Sequence, residues 1–352
     1  MIVAMSGGVD SAVAAALLQA QGHDLVGVTL HLWDASGAQM VGRCCSPEDR
    51  DDARRVSEHL GIPHYTFDER TAFRQAVVDP FVAAYARGIT PAPCVRCNRS
   101  VKLGHLEAIA DELGAATIAT GHYAQLWRRD DAVVLARGRD AGKDQSYFLF
   151  GLRQSLLRRL CFPLGALDKG ETRRLAQDFG LPNADKADSQ ELCFVPDGDV
   201  AGFVTRQGAT QQPGPIRDAS GALLGEHRGL AGYTVGQRRG LGLAGGPPRY
   251  VLKLVPERNE VVVGEEDALA ADVLHAAEAA WNGPVPREAF VARVQIRSRH
   301  KAAPAEVIPT AEGFCVRFAA PQRAIAPGQA AVVYVDDVVR GGGIITAAGC
   351  GA

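Results

Sequence analysis

The pattern of apolar and polar positions changes character along the chain. From residue 1 to about 125, short apolar runs alternate with amphipathic stretches. Residues 2–5 read as a short buried strand, 6–11 as a turn, and the Ala- and Leu-rich 12–21 as a helix stopped by Gly22. A second strand is expected over 25–33. Ser46, Pro47 and Asp49 combine an N-cap serine, a proline at the first helical position and an acid three residues on. The helix they open runs to about Leu60 and ends at Gly61. Residues 63–67 read as a strand, 71–87 as a helix kinked at Pro80, 101–113 as a helix and 116–120 as a strand. This βαβα order predicts a parallel sheet covered by helices, with a ligand at the carboxyl ends of the strands.

Residues 123–127 and 132–136 flank Arg128-Arg129-Asp130-Asp131 and read as a hairpin with a four-residue loop. A helical stretch follows to about Phe179. Near residue 195 the texture changes. Residues 200–270 are rich in Gly and Pro, with short strands at 249–255 and 260–264. The tail from about 273 is strand after strand, at 290–297, 305–309, 314–318 and 330–335, separated by turn signals as in a small β-barrel. The expected architecture is α/β: a Rossmann-like parallel sheet over 1–200, a small mixed α/β linker domain over 201–272 and a C-terminal β-barrel over 273–352.

Composition adds limits. Hydrophobic residues make up 47% and charged residues 22%, which suits a chain that buries sizeable cores. The net charge of -2 argues against a generic nucleic-acid coat and is silent about local basic patches. No apolar run nears the roughly 20 residues of a membrane span. With no charged leader in view, a cytoplasmic protein with no membrane partner is expected. The eight cysteines are too dilute for a disulfide scaffold, yet Cys44-Cys45, Cys94 with Cys97, and Cys193 point to metal, redox or sulfur chemistry.

The sharpest chemical signal is Ser6-Gly7-Gly8-Val9-Asp10-Ser11, between the first strand and the first helix. Two glycines let the backbone turn tightly and approach a phosphate, while successive N–H groups and the helix N-terminus form an anion cradle. Ser6 and Ser11 offer hydroxyl donors, and Asp10 offers an oxygen ligand for Mg²⁺. The loop lacks the Gly-Lys-[Ser/Thr] end of a Walker motif. It resembles the SGGxDS signature of PP-loop ATP pyrophosphatases, which adenylate a substrate oxygen and release pyrophosphate. Amide synthesis, lysidine formation, deazapurine synthesis and tRNA thiolation all use that loop. The bland alternative is a glycine turn that merely caps a helix.

Further stretches select among these chemistries. They are Cys97-Asn98 with Val101-Lys102, Thr120-Gly121-His122-Tyr123, Lys143-Asp144-Gln145-Ser146-Tyr147, residues 189–194 and Tyr233 to Gly242, YTVGQRRGLG. With residues 4–11 they resemble the tRNA 2-thiouridylases of the MnmA type. The resemblance implies ATP-dependent conversion of the wobble uridine of tRNA to 2-thiouridine, with AMP and pyrophosphate released. It carries ATP binding onto Ala4, Met5, Ser6, Gly7, Gly8, Val9, Asp10, Ser11, Leu30 and Gly121. It makes Cys193 the persulfide carrier, loaded by a sulfur-relay partner, and Cys97 the second catalytic cysteine, with a transient Cys97–Cys193 disulfide. Cys97 is expected near a helix N-terminus, where a thiolate is favoured. Lys143, Asp144, Gln145, Arg297 and Ser298 become tRNA contacts, with the acceptors for Lys, Glu and Gln as expected substrates. His122, beside Gly121, reads as a base, a phosphate ligand or a hydrogen-bonded structural histidine.

The chain also departs from that pattern. Ala92-Pro93-Cys94 stands where many relatives carry Asn-Pro-Asp, so a thiol replaces a carboxylate. Cys94, Cys97 and Cys193 would suit a [4Fe–4S] cluster with one open iron, as an alternative to persulfide chemistry. Ser298 stands where a tyrosine is common, which removes a stacking ring. Basic residues recur at Arg153, Arg158, Arg159, Arg173 and Arg174, at Arg228, Arg238, Arg239 and Arg249, and at Arg293, Arg297, Arg299 and Lys301. Singly each reads as a solvated face; together they suit a tRNA that binds in a salt-dependent way. Two rival functions are another PP-loop ligase or synthase, and a sulfur-carrier or tRNA-binding module with a vestigial loop. Cys44, Cys45, Cys161, Cys315 and Cys350 read as structural or tail residues.

Overall fold

The computed structural model describes residues 1–34, 47–129, 132–188, 192–195, 198–243 and 245–349. Contacts divide the chain into two compact units: residues 1–77, 94–198 and 337–339, and residues 78–93, 199–336 and 340–352.

The first unit is built on a parallel sheet of five strands. They are β1 (Ile2–Ala4), β2 (Val26–His31), β3 (His64–Asp68), β4 (Ile118–Ala119) and, after the hairpin of β5 (Ala124–Arg129) and β6 (Ala132–Arg137), β7 (Leu160–Cys161). The order across the sheet is β3-β2-β1-β4-β7, with all neighbours parallel. β1 lies in the middle, so the loop leaving it sits at the centre of the carboxyl edge. α1 (Val9–Ala20) is apolar almost all round and α2 (Pro47–Leu60) is amphipathic. Val3, Val13, Ala16, Val56 and Leu164 belong to the core they share.

The expected order of elements is present, with corrections. The helix placed over 71–87 is α3 (Arg70–Phe73), a π-helical turn over Arg74–Val78 and α4 (Asp79–Ala86). Pro80 lies in the first turn of α4, where its missing N–H costs no hydrogen bond. The helix expected to start at Val101 starts at Pro93, as α5 (Pro93–Cys97), a π-helical turn over Asn98–Lys102 and α6 (Leu103–Glu112). The hairpin strands run further than expected, pairing Arg128 with Val133 and Arg129 with Ala132, so no four-residue loop remains. The stretch read as helical to Phe179 holds α7 (Gln154–Leu157), β7 and α8 (Lys169–Asp178). Ser46, Cys44, Cys45 and Cys350 lie outside the described residues.

The second unit contains α4, α9 (Val200–Arg206) and two sheets. β8 (Gly214–Asp218), β9 (Leu223–His227), β10 (Tyr250–Val255) and β11 (Glu260–Gly264) form a mixed sheet in the order β10-β11-β8-β9. β12 (Ala270–Trp281), β13 (Phe290–Gln295), β14 (Ala303–Pro309), β15 (Gly313–Arg323), β16 (Ala330–Val335) and β17 (Val338–Ala348) form an antiparallel barrel. It is closed by pairing of β12 with β17. Its interior holds Leu274, Val294, Val307, Phe314, Val316 and Val333. The α/β class, the mixed sheet and the terminal barrel are as expected from the sequence.

Candidate active site

The loop after β1 is shaped by its own residues. Gly7 has φ +73°, and a Cβ there would stand 2.0 Å from the carbonyl oxygen of Asp49. Only glycine meets both conditions. The Ser6 N–H donates to Ser11 Oγ at 3.1 Å, and Ser11 Oγ donates to the Gly8 carbonyl at 3.0 Å. The two serines thus hold the turn as well as offering hydroxyls. The Ala12 N–H donates to Gly8 O at 3.2 Å, which starts α1 and leaves the first-turn amides without partners in the helix. Such a terminus attracts anions.

Gly121 was expected to take part in binding ATP. Its first task lies in the protein itself: a Cβ at 121 would stand 2.8 Å from Asp10 C and Ser11 N. Glycine therefore lets the end of β4 lie against the start of α1. Ala4 and Met5 complete the approach from β1, and Leu30 is half-buried near the end of β2.

An ion-pair network surrounds the loop. Asp10 Oδ1 accepts from Tyr123 Oη at 2.9 Å and from Lys169 Nζ at 2.7 Å. Lys169 Nζ also lies 2.8 Å from Asp188 Oδ1. Asp188 in turn accepts from Lys143 Nζ and from Arg173 Nη2, each at 2.7 Å. Burial raises the Asp188 pKa, but the bonds from Lys143 and Lys169 outweigh it and hold the carboxyl at about 2. Burial, reinforced by the Asp10 charge, pushes the Tyr123 hydroxyl up, so it stays a proton donor. On the other side of the turn, Asn183 Nδ2 and Lys186 Nζ donate to the Gly7 carbonyl at 3.0 and 3.1 Å. Lys186 pairs with Asp49 and Asp52. Asn183 Oδ1 is buried with no hydrogen-bond partner.

Lys169, Asp188, Lys186 and Asn183 carry no assigned role in the sequence reading. Lys169 is placed by its own helix. It is the first residue of α8, after an Asp168–Glu171 capping box. A cation at a helix N-terminus opposes the helix dipole. Asp10 and Asp188 offset that cost, which marks the position as one where positive charge is needed.

Cys94 and Cys97 share α5, and Cys193 lies in a later turn. Cys97 is buried and is the fifth residue of the continuous helical run that opens at Pro93, one turn from its N-terminus. A π-helical turn follows it directly, a distortion that recurs at functional sites. Asn98, next in the chain, has a buried Oδ1 with no hydrogen-bond partner. Cys94 and Cys193 are half-buried. Phe194, beside Cys193, is buried edge-on to Phe73 at 5.7 Å between ring centres, which anchors that turn. Among the described residues, no three His, Cys, Asp or Glu side chains are gathered to hold a metal ion. Cys94, Cys97 and Cys193 therefore do not form a ready cluster site. Cys161 is half-buried on β7, where burial pushes its thiol up, and Cys315 is half-buried on β15.

His122 is a hydrogen-bonded histidine. Its Nδ1 lies 2.7 Å from Thr120 Oγ1 and its ring meets Phe162 edge-on. Burial, helped by the charge of Lys102, lowers its pKa to about 3, so the imidazole is neutral. Asp144 is largely spent on structure: it accepts from Arg137 Nη1 at 2.8 Å and from the Gly138 N–H, the Ser146 N–H and Ser146 Oγ. Gln145 Oε1 accepts the Tyr123 N–H at 2.9 Å. In the second unit, Arg297 is half-buried with its guanidinium near the Arg323 and Ala324 carbonyls, and Ser298 is exposed in the turn after β13.

Family models match the chain in succession: a tRNA methyl transferase HUP domain over residues 1–197, a tRNA methyl transferase PRC-barrel domain over 201–265 and an aminomethyltransferase beta-barrel domain over 271–345. The tRNA-specific 2-thiouridylase MnmA of Sorangium cellulosum is 51% identical over 99% of this chain and 92% of its own length. The chain belongs to the tRNA-specific 2-thiouridylase family. Relatives of the same name from Geobacter metallireducens and Acidithiobacillus ferrooxidans are 48% and 47% identical, over 99% and 98% of this chain and 97% of their own lengths.

Proposed function

We propose that this protein catalyses ATP-dependent 2-thiolation of the wobble uridine of tRNA. The observation that carries the reading is the match to named 2-thiouridylases at about half identity along essentially the whole chain. The nucleotide loop supports it: a glycine turn that a side chain would block, a helix N-terminus, and Lys169 beside Asp10. The loop amides and Lys169 take the phosphates of ATP. Asp10 would hold Mg²⁺, which would neutralise phosphate charge there. The cations Lys143, Arg173 and Lys186 fit a site that receives a negatively charged group, and the buried Asn183 Oδ1 would accept from a donor such as a hydroxyl or amino group.

The chemistry follows from these groups. The C2 oxygen of uridine attacks the α-phosphorus of ATP, and pyrophosphate leaves. The terminal sulfur of a Cys193 persulfide, supplied by a sulfur-relay donor, attacks C2, and AMP leaves. The Cys97 thiolate attacks Cys193 Sγ, which frees 2-thiouridine and leaves a Cys97–Cys193 disulfide for an external thiol to reduce. In the other route, Cys97 frees hydrosulfide from the persulfide and the hydrosulfide attacks C2. A urea-like carbonyl is a poor electrophile, and adenylation supplies the leaving group it lacks. A [4Fe–4S] route is not favoured, because the three cysteines are not gathered. The tRNA acceptors for Lys, Glu and Gln are the proposed substrates, with Lys143, Asp144, Gln145, Arg297 and Ser298 contributing to their binding. Asp144 and Gln145 act there by shaping the turn. The three-domain division over 1–200, 201–272 and 273–352 and a cytoplasmic location belong to the same reading. Among the described residues, no helix is long and apolar enough to cross a membrane.

The test is nucleoside mass spectrometry after mixing metal-free protein, unmodified tRNA, Mg-ATP and a persulfide donor. Product is expected only with ATP, and its loss is expected in both Cys97→Ala and Cys193→Ala. Product that appears only after anaerobic iron–sulfur reconstitution would replace the persulfide mechanism. No product in either state, with tRNA and donor that serve another thiouridylase, would overturn the function.

A further inference from the structure

The YTVGQRRGLG stretch has no part in the chemistry above, yet the second unit builds it into a distinct surface. Its first half is rigid. The Gly236 N–H donates to Val251 O at 2.8 Å and the Val251 N–H returns to Gln237 O at 2.9 Å, which fixes the turn to β10. The Gln237 carboxamide braces it from within, accepting the Thr234 N–H at 3.0 Å and donating to Arg239 O at 2.9 Å.

From that brace onward the backbone is bare. Among the described residues, no N–H between Arg238 and Arg249 donates to another group of the protein. Most of these residues are exposed, so their donors face solvent and are open to a ligand. Gly240, Gly242, Gly245 and Gly246 all have positive φ, from +68° to +80°. At Gly242, Gly245 and Gly246 a Cβ would meet nothing within 4 Å, so these glycines are needed for their backbone shape and not for room. The segment lines a concavity of about 390 Å³ that also carries Arg238 and Arg249.

The arginines are open to an anion as well. Elsewhere in this unit Arg217 and Arg258 pair with Glu260, Arg317 with Glu306 and Arg323 with Glu266. Among the described residues no ion pair involves Arg238, Arg239 or Arg249. Arg249 lies close enough to Asp218 to stabilise its charge, but Asp218 Oδ1 is already taken by Ser220 and Ala222. A concave backbone lined with N–H groups and flanked by guanidinium ions binds the oxygens of a phosphate.

We propose that residues 238–243 and 245–249 grip the phosphodiester backbone of the tRNA substrate. This rests on the tRNA reading above. Contacts of this kind position an RNA and read no bases. The surface would therefore add the same affinity to every acceptor.

The experiment measures tRNA binding by the full chain with fluorescence anisotropy across a salt series. It compares wild type with Arg238→Ala, Arg249→Ala and Gly242→Ala. Each arginine variant is expected to weaken binding roughly tenfold. It should also flatten the plot of log affinity against log salt by about 0.7–1 per arginine. Gly242→Ala should weaken binding with no loss of charge. The KM for ATP should not move. Arg238 is exposed, so its removal leaves the fold intact, and the thermal midpoint checks this. Wild-type affinity and slope in both arginine variants would overturn the proposal. So would loss of ATP or pyrophosphate binding with tRNA binding unchanged, which would assign the loop to another anion. Thiolation by wild type with no effect of the arginines sinks the surface and leaves the function standing. Arginine-dependent tRNA binding without thiolation sinks the function and leaves the surface.

Discussion

At the residue scale, Gly7 shows how one position serves shape and chemistry together. Its left-handed backbone costs any other residue about 1–3 kcal/mol, before the clash with Asp49 is counted. Gly7→Ala is expected to lower the thermal midpoint by several degrees and to abolish measurable ATP binding. Calorimetry and equilibrium binding check both, and unchanged values would show that the loop can rearrange. Gly121 shows the limit of reading a glycine from sequence. The resemblance gave it to ATP, and the close approach that the structure requires is that of the Asp10–Ser11 backbone. His122 makes the same point about titratable groups. Its residue type left base, ligand and structural roles open, and its surroundings keep it neutral.

At the element scale, α8 brings a cation to the loop. Lys169 sits between Asp10 and Asp188, and Asp188 keeps Lys143 and Arg173 when Lys169 is removed. Lys169→Ala is therefore expected to leave a folded protein. The KM for ATP should rise roughly tenfold or more, as loss of a charge-assisted bond to phosphate requires. Steady-state kinetics with ATP varied would detect this, and a wild-type KM would remove Lys169 from the nucleotide site. β12 teaches a different lesson. Its sequence, AADVLHAAEAAW, favours a helix by composition, and it forms a strand. Pairing with both β15 and β17 closes the barrel and overrides the local preference. Gly313 and Gly343 make room, since a Cβ at either would strike the carbonyl of Ala276 or Ala277.

At the scale of the whole molecule, His122 and Asp188 are two of the groups that act on the acid side of stability, and burial lowers the pKa of His64 and His300 as well. His122 has its folded pKa lowered from 6.5 to about 3. Below pH 6.5 the unfolded chain takes up a proton that the folded chain refuses, so stability falls from there down to about pH 3. Asp188 is lowered from 3.8 to about 2, so its contribution is complete above pH 3.8 and is lost as pH falls towards 2. Thermal midpoints between pH 8 and 3 should thus begin to drop near pH 6.5. In His122→Asn that first drop should shrink, and an unchanged profile would assign it elsewhere.

How much of this was legible beforehand depends on range. Short-range signals carried the alternating elements of the first unit, the glycine loop with Asp10, the hairpin and the style of the tail. Each is written in neighbouring residues: a run of apolar positions, a turn residue, a helix start. The fifth strand β7 was missed because two residues carry no period, and the true start of α5 because a π-helical turn breaks the 3.6-residue pattern. The candidate site divides in the same way. Its loop and cysteines were found from motifs. Lys169, Asp188, Lys186 and Asn183 were not, since each gains meaning only from a partner far along the chain, as with Lys169 and Asp10, 159 residues apart. The sequence alone determined which residues could do sulfur and nucleotide chemistry and which backbone turns they needed. Tertiary structure decided which charges meet, which histidine stays neutral and which strands close the barrel, because those outcomes depend on burial and distance between residues that the chain keeps apart.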